Sequence, residues 1–553
     1  CALLLRRREP PKKGFFAAFN RWFARRMDKY TAFTPTLIRH VARTGVFIAA
    51  VLAVIFLVWR KLPAGFLPEE DQGYVMVMVS TPEASSLQVT QKAMIRADKV
   101  IRTLPEVAST SFAAGFNMMA GIASTDSGII FVSLVGYSDR KLTAMEIAQK
   151  LTDELYMAVP GAECFAFIPP SIPGLGITSG VSVEVQDLEG RGTAYLLEQS
   201  ERLMDSLRKL PSVASVTTQF NAGVPQRRLR IDKEQALASG VDLGVLYGDL
   251  TTLLGGAYVN NFSRFGKLYQ TYIQAAPAYR MDKRSLDSYY VASSSGESVP
   301  VSSLVEVVDT VGVEYVSQFN LYRSIGLTVT PADRTSTTTV MQDITRTAAQ
   351  VLPDDVGTAW SGTSFQEANA SKTGGLVYLL ALVFVFLALA ALYESWGLPL
   401  AILMSVPVAV LGAVLFIGVS HLLNAFYVND IYMQISLVML IGLAAKNAIL
   451  VVEYADRLFN EQGASLMDAA IGAAKLRVRP IIMTAFAFIL GVMPLIFASG
   501  VYATARNIMG VALVGGMLFA TLLGIFVYPA LYYFVGRIGG FERRRERKKQ
   551  EQS

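Results

Sequence analysis

Cysteine and histidine are scarce in this chain of 553 residues, and each scarcity excludes a kind of site. The two cysteines, Cys1 and Cys164, allow at most one disulfide bridge, so no disulfide framework holds the chain together. The two histidines, His40 and His421, lie far apart and no CxxC motif accompanies them, which argues against a zinc site. We therefore expect neither a metal nor a cofactor.

Catalytic patterns are missing as well. The sequence contains no Walker loop, no Ser/His/Asp set and no pair of carboxylates placed for acid and base catalysis. An enzyme is not expected, and neither is direct use of ATP.

Charged residues are also few, at 17% of the chain, whereas 52% of the residues are hydrophobic and the mean hydropathy is +0.39. This composition is typical of a membrane protein rather than a soluble one. Six apolar segments have the length expected of membrane spans or nearly so. They are Val46–Val58, Leu376–Tyr393, Leu398–Val419, Tyr432–Val452, Pro480–Phe497 and Gly510–Phe534.

The basic residues are grouped beside these spans. They form the runs Arg6–Lys13, Arg21–Lys29, Lys475–Arg479 and Arg537–Lys549. A nucleic-acid-binding protein would interleave such residues with aromatics on a folded face, whereas flanking positions follow the positive-inside rule. The pattern predicts six spans with both termini and the 455–479 loop in the cytoplasm, a large domain outside it, and no nucleic-acid partner.

The N-terminal segment has two expected features. The chain starts at Cys1 without a methionine, and the apolar residues before Arg6 are typical of a helix end, so we expect a cut N-terminus. Aromatic and basic residues then alternate from Gly14 to Tyr30 at helical spacing, which predicts an amphipathic helix in the headgroup plane of the membrane lipids.

The long segment between the first two spans contains no apolar run that could cross a bilayer. Within it a strand, helix and strand pattern repeats, and its helix ends are nearly identical at Leu104–Ser109 and Leu210–Ser215. Each repeat is typical of half a ferredoxin-like fold. We expect these regions: 1–42, a helix end and interfacial helix; 43–62, a span; 63–174, a first subdomain; 175–230 and 323–370, the two parts of a second; 231–322, an inserted subdomain; 371–536, five spans; and 537–553, a basic tail.

Lys446 is the anomaly of the sequence because it lies inside the apolar span Tyr432–Val452. A charged side chain near mid-bilayer costs about 3 kcal/mol, so it normally faces the protein interior and pairs with an anion. The other five spans contain no internal Asp or Glu. Two hypotheses remain: Lys446 snorkels about 10 Å to the interface, or it pairs with acidic residues on a polypeptide outside this sequence.

Several polar and aromatic residues are further candidates. Asn447 follows Lys446, Thr484 lies one turn inside the next span, and Arg477 precedes that span, although a membrane threonine often bonds only its own helix. A second group consists of apolar residues around the glycine-bearing segment 112–121, which we expect to be a flexible loop. Such side chains form either a core or an adaptable pocket for apolar ligands. They are Phe112, Phe116, Met118, Phe131, Phe165 and Phe167.

Four motifs, which span most of the chain, resemble one known family. They are FLPEEDQG at 66–73, LAALYESW at 389–396, GLAAKNAIL at 442–450 and RPIIMTAFAFILGVMPL at 479–495. Together they resemble the resistance-nodulation-division exporters of Gram-negative bacteria, in the hydrophobe/amphiphile (acriflavine-resistance) branch. The resemblance covers only the C-terminal half of such a pump.

The resemblance implies an α/β membrane protein. It would have six helices of a twelve-helix bundle and a large periplasmic domain of ferredoxin-like βαβ subdomains with an inserted docking subdomain. The activity implied is proton-driven antiport of amphiphilic compounds by a homotrimer in the inner membrane, working with a periplasmic adaptor protein and an outer-membrane channel.

The resemblance also implies roles for individual residues. Lys446, Asn447, Thr484 and Arg477 would belong to the proton relay, with its aspartates on a helix absent from this sequence. The segment from Phe112 to Gly121 resembles a switch loop, and the five phenylalanines with Met118 would line a drug pocket. Two alternatives stay open: heavy-metal cation efflux by a sister branch, for which no methionines beyond Met118 and Met119 are evident, and a non-transporting lipid-sensing or assembly protein.

Overall fold

The computed structural model describes residues 15–38, 41–68, 70–172, 174–176, 178–332, 335–424 and 426–541. The expectations for the N-terminal helix end, for His40 and for the basic tail beyond residue 541 lie outside these ranges.

The described chain alternates helices and strands. Its helices are α1 Phe15–Ile38, α2 Val41–Lys61, α3 Leu87–Ile101, α4 Ala144–Ala158, α5 Thr193–Leu207, α6 Lys233–Ala238, α7 Leu243–Leu250, α8 Thr337–Val351, α9 Gly362–Tyr393, α10 Gly397–Leu403, α11 Val406–Leu423, α12 Ile431–Asn460, α13 Leu466–Ile496, α14 Ala503–Leu522 and α15 Gly524–Ile538. Its strands are β1 Tyr74–Ser80, β2 Val107–Asn117, β3 Ile122–Leu134, β4 Glu163–Phe167, β5 Val181–Asp187, β6 Val213–Thr218, β7 Val224–Ile231, β8 Ala257–Arg264, β9 Lys267–Ile273, β10 Tyr290–Ala292, β11 Ser298–Pro300, β12 Val305–Gly312, β13 Ser317–Phe319, β14 Tyr322–Pro331 and β15 Val356–Trp360.

Six helical stretches of the described chain are long and apolar enough to cross a membrane, as the sequence predicts. They are Ala42–Lys61, Gly375–Tyr393, Gly397–Leu423, Ile431–Asn460, Leu466–Ile496 and Ala503–Leu522.

The bounds of two predicted regions are wrong. Most of the expected 455–479 loop is helical, because small and apolar side chains such as Ala455, Phe459, Ala469 and Ala473 are buried in the bundle core and extend α12 and α13. The last expected span is divided between α14 and α15, with a break at Leu523.

Strands β1 to β4 form an antiparallel sheet in the order β2-β3-β1-β4. With α3 and α4 the chain order is βαββαβ, which is ferredoxin-like. Val75, Val77 and Val79 of β1 share a core with Met94 of α3 and Leu151 of α4. The helices therefore cover one face of this sheet and leave the other face to Met76 and its neighbours.

A second sheet has the same arrangement, although its two halves are far apart in the sequence. Strand β14 pairs with both β5 and β6, and β15 pairs with the other edge of β5. The first half is β5, α5 and β6, and the second is β14, α8 and β15. The short strand β13 adds to β14.

Between these halves, Phe220–Val316 forms a separate compact unit, to which Pro82–Ser86 also belongs. Strand β7 pairs with β12 along its whole length. The inserted unit therefore starts before residue 224, and not at 231 as the sequence suggested. Strands β8 and β9 of this unit form a hairpin in which almost every residue is exposed.

Candidate functional site

Lys446 lies on the exposed side of α12. Ile435, Met439 and Gly442 are exposed on the same helix, and their spacing of three to four residues places them with Lys446 in one stripe. A side chain at Gly442 would meet nothing within 4 Å. Lys446 forms no ion pair with any described residue.

Thr484 lies at the same depth as Lys446 on the neighbouring helix. The guanidinium of Arg477 lies 4.8 Å from the ring centroid of Tyr454, and Leu458 meets Gly472, so α12 and α13 run antiparallel. Lys446 is eight residues from Tyr454, about 12 Å along α12, and Thr484 is seven residues from Arg477, about 10 Å along α13.

Thr484, Asn447 and Arg477 differ in their hydrogen bonds. The Thr484 hydroxyl donates to the Ile481 carbonyl of its own helix at 3.0 Å, which is the local bond considered from the sequence. Asn447 is buried, and its side-chain nitrogen has no hydrogen-bond partner in the described ranges; the same holds for Nε of Arg477. The structure thus brings Lys446, Asn447 and Thr484 to one level, while Arg477 lies about two turns away.

The surface beside Lys446 is apolar on both helices. On α13, Met483, Phe486 and Leu490 are each about 60% exposed, at a spacing of three to four residues. A cation in such a surface needs an anion when lipid or another helix covers it. The site can therefore hold a charge-compensating carboxylate group from outside the described chain.

The aromatic candidates divide between the two faces of the sheet β1 to β4. Met76 pairs with both Phe131 and Phe167, and Met78 pairs with Phe165, so all five side chains share the face that α3 and α4 leave open. The rings of Phe165 and Phe167 stack with centroids 5.8 Å apart. Phe167 is buried, whereas Phe131 and Phe165 are 38% and 50% exposed.

Phe112 and Phe116 lie elsewhere than the sequence suggested. Phe112 pairs with Ile130, whose side chain belongs to the core under the helices, so Phe112 lies on the opposite face from Phe131. Phe116 follows a register shift between β2 and β3. The expected flexible loop 112–121 is wrong in its first half, which is strand; only residues 118–121 form a turn.

Met76 and Met78 of this face were missed from the sequence. Met118 and Met119 pack against a buried cluster that contains Met76 and Met78, so four methionines share one site. The signal is the alternation of valine and methionine in β1, which makes this strand apolar on both faces. No group of three or more His, Cys, Asp or Glu side chains in the described ranges is placed to hold a metal ion.

Comparisons with known proteins identify the family of this chain. Residues 1–536 match the model of the AcrB/AcrD/AcrF family. The chain is 36% identical over 535 residues to the toluene efflux pump membrane transporter TtgB of Pseudomonas putida, which covers 96% of this chain and 50% of that protein. It is equally similar to the antibiotic efflux pump membrane transporter ArpB of Pseudomonas putida.

A relative of lower identity also matches almost the entire chain. The chain is 32% identical over 546 residues to the multidrug export protein AcrF of Escherichia coli, covering 97% of this chain and 52% of AcrF. The chain thus spans about half the length of the curated relatives it matches. With its family model matched over almost its entire length, this chain belongs to the AcrB/AcrD/AcrF family of resistance-nodulation-division transporters.

Proposed function

We propose that this chain is the C-terminal half of a proton-driven pump that exports amphiphilic and hydrophobic compounds. Its curated relatives are efflux pumps for toluene, antibiotics and multiple drugs. The observation that carries the proposal is Lys446, which is exposed in an apolar surface at the depth of Thr484 and forms no ion pair within the described part of the chain.

Proton coupling follows from the electrostatics of this surface. Carboxylates that compensate the Lys446 ammonium would lose their charge when they bind protons, and their attraction for the lysine would weaken. The lysine then turns toward Asn447 or Thr484 and the helices repack. Arg477, two turns away, joins this relay through the same repacking. The helix bundle then has two states, and proton binding shifts the equilibrium between them.

The open face of the sheet β1 to β4 is the proposed substrate site. Phe131 and Phe165 offer exposed rings beside the flexible side chain of Met118. Aromatic and thioether groups adapt to apolar ligands of different shapes. Phe167 supports the site from the core. Phe116 lies near the end of the neighbouring strand β2, whereas Phe112 lies on the opposite face of the sheet and does not line this site.

The proposed setting is a homotrimer in the bacterial inner membrane with its large domain in the periplasm. There it would act with an adaptor protein and an outer-membrane channel. If all six candidate spans cross the membrane, both ends of the described chain lie on the same side of it. A cysteine introduced at Gly266, in the β8–β9 turn, should react with an impermeant maleimide added to intact cells. Labelling only after lysis would contradict this topology.

Expression of the complete gene in a pump-deficient strain tests the function. We expect resistance to dyes and detergents that disappears when a protonophore collapses the proton gradient. Efflux that survives the protonophore would refute proton coupling. No resistance to any compound, despite correct insertion, would instead favour a lipid-sensing or assembly protein.

Export of soft metal ions is the second candidate, because the structure gathers Met76, Met78, Met118 and Met119 in one cluster. Thioether sulfur is a ligand preferred by Cu(I). Protection against copper or silver without protection against dyes would select this function. A variant with Met78→Leu and Met118→Leu should then lose metal resistance, whereas Phe165→Ala should not.

A further inference from the structure

A short linker joins the membrane helix α2 to the sheet strand β1 and consists of residues 62–73. Its first part is bonded to the start of α12. The Gly65 N–H donates to the Asn429 carbonyl at 3.2 Å, the Asn429 N–H donates to Pro63 at 2.9 Å, and the Ile431 N–H donates to Phe66 at 3.2 Å. The linker is thus bonded to the beginning of a membrane helix.

Glu70, near the end of the linker, binds a second membrane helix. Its carboxylate accepts the N–H of Ala505 at 2.6 Å and the N–H of Thr504 at 3.2 Å, in the first turn of α14. Helix N-termini attract anions because their free N–H groups and the helix dipole favour negative charge. Glu70 is only 3% exposed, so water cannot readily replace these bonds.

Asp71, the next residue, binds the extramembrane domain instead. One carboxylate oxygen accepts the N–H of Ala144, the first residue of α4, at 2.8 Å. The other oxygen accepts from Arg140 at 2.7 Å and from the Gly73 N–H at 3.0 Å. The hydroxyl of Tyr137 also bonds to the Asp71 backbone.

Two consecutive carboxylates therefore hold the N-termini of two different helices. Glu70 holds membrane helix α14 and Asp71 holds α4 of the sheet that carries Met76 and Phe131. One planar peptide bond connects the two residues, which leaves little freedom between their anchor points. Strand β1 starts three residues later, at Tyr74, and β1 contains Met76.

We propose that Glu70 and Asp71 form a mechanical joint that transmits displacement of α12 and α14 to the sheet β1 to β4, with Glu70 as a positioning residue for transport. This inference rests on the proposed function. The linker would thereby couple the proton-sensitive helices to the substrate face of the sheet.

The two ends of the joint differ in strength. Burial raises the pKa of Glu70, and its amide bonds and Arg506 only partly offset this effect. Burial also opposes ionisation of Asp71, but the bonds from Arg140, Ala144 and Gly73 outweigh it and lower its pKa. The other titratable groups facing Glu70 are Asp430 and Tyr432. The Glu70 end is the one that protonation weakens.

The test is therefore placed on Glu70, in the complete transporter. Glu70→Ala removes both bonds to α14, whereas Glu70→Gln keeps one oxygen that can accept the Ala505 N–H. Glu146→Gln is the matched control, because Glu146 closes an exposed capping box at the start of α4 and joins no second element. Each variant is measured for trimer assembly, dye affinity, efflux, and dye-induced change in amide hydrogen exchange at residues 500–510.

We expect Glu70→Ala to reduce proton-driven efflux about 10-fold or more, since bonds to a charged group are lost. Its dye affinity and trimer assembly should match the wild type, and dye should no longer alter hydrogen exchange at residues 500–510. Loss of this response with unchanged ligand affinity is the signature of a broken coupling rather than of unfolding. Glu70→Gln should retain most efflux, with its pH profile shifted, and Glu146→Gln should behave as wild type.

Two results would overturn the joint. One is an unaltered exchange response in Glu70→Ala; the other is an equal loss in the Glu146→Gln control. Failure of the proposed function is recognised separately, because it would abolish proton-dependent efflux in the wild type while the dye-induced exchange response could still be compared between variants.

Discussion

Helix α12 carries two charged residues that the protein treats in opposite ways. Asp430 at its N-terminus is fully buried and its Oδ1 accepts the Met433 N–H at 2.8 Å. Lys446, about four turns further on, is exposed and forms no ion pair with any residue in the described ranges.

The difference shows how position on a helix decides whether a charge can be satisfied locally. The first N–H groups of a helix have no intrahelical partners, so an aspartate there finds donors within its own chain. In mid-helix every backbone group is already bonded, and a lysine depends on another segment. Asp430 is therefore bonded through Oδ1 within its own chain, although its buried Oδ2 has no hydrogen-bond partner among the described residues, whereas Lys446 depends on a partner from another segment.

The largest expected effect comes from removing the charge of Lys446. Lys446→Ala in the complete transporter should abolish proton-coupled efflux, a loss of at least about 100-fold or 2.7 kcal/mol, because carboxylates would lose the cation they alternate with. Dye accumulation with and without a protonophore measures the effect.

Lys475→Ala is the matched control, since Lys475 is an exposed lysine on the neighbouring helix α13. It should transport normally. Trimer assembly and dye binding should survive in both variants. Wild-type efflux from Lys446→Ala would refute the relay.

The second prediction concerns Asp430. Burial raises its pKa from 3.8 to about 7, so the folded state holds a proton that the unfolded state releases. Stability should therefore fall as the pH rises from about 4 to about 7, by at most about 4 kcal/mol. Asp430→Asn keeps a capping oxygen and removes the ionisation.

Thermal unfolding in detergent checks this prediction. The variant should melt higher than the wild type at pH 8 and close to it at pH 4. A difference that is the same at both pH values would show that Asp430 does not titrate as its burial implies.

The third prediction concerns Asp71, a part-buried carboxylate that pairs with a buried arginine. Asp71→Ala would leave the Arg140 guanidinium, whose side chain is 2% exposed, without its anion. Loss of one partner of a buried pair costs about 3 kcal/mol or more. Because the pKa of Asp71 is lowered, its contribution is complete at neutral pH and is lost only as acid protonates the folded state below about pH 4.

Urea unfolding of the purified transporter measures this loss. Asp98→Ala is a suitable control, because its partner Arg102 is 57% exposed. Equal destabilisation by the two variants would mean that burial of Arg140 adds little to the stabilisation that its ion pair with Asp71 provides.

The smallest expected effect concerns the open face of the sheet. Met78→Leu conserves volume and should change stability by less than about 1.5 kcal/mol. Dye export should stay within about 3-fold of the wild type, because leucine keeps the apolar contact. Complete loss of dye export would assign Met78 a specific contact with the substrate.

Much of the fold followed from local patterns. The six apolar helices are predictable because a membrane requires a minimum length of apolar sequence, and the strands beginning at Tyr74 and Val181 were found from their alternation and composition. Helix ends were less predictable. The cytoplasmic-facing loop expected at 455–479 is mostly helix because tertiary packing of Phe459 and its neighbours overrides a polar local sequence.

The site divides in the same way. The sequence by itself identified Lys446 as a charge in need of a partner, since the cost of a charge in an apolar helix does not depend on the fold. It also gave the aromatic residues, but it could not tell which sheet face each side chain occupies. That depends on strand register, which separated Phe112 from Phe131 and gathered Met76 with Met118. Only the tertiary structure decided that Glu70 and Asp71, adjacent in sequence, bind helix N-termini through residues that lie 434 and 73 positions away, because such bonds depend on which helix ends the folded chain brings to them.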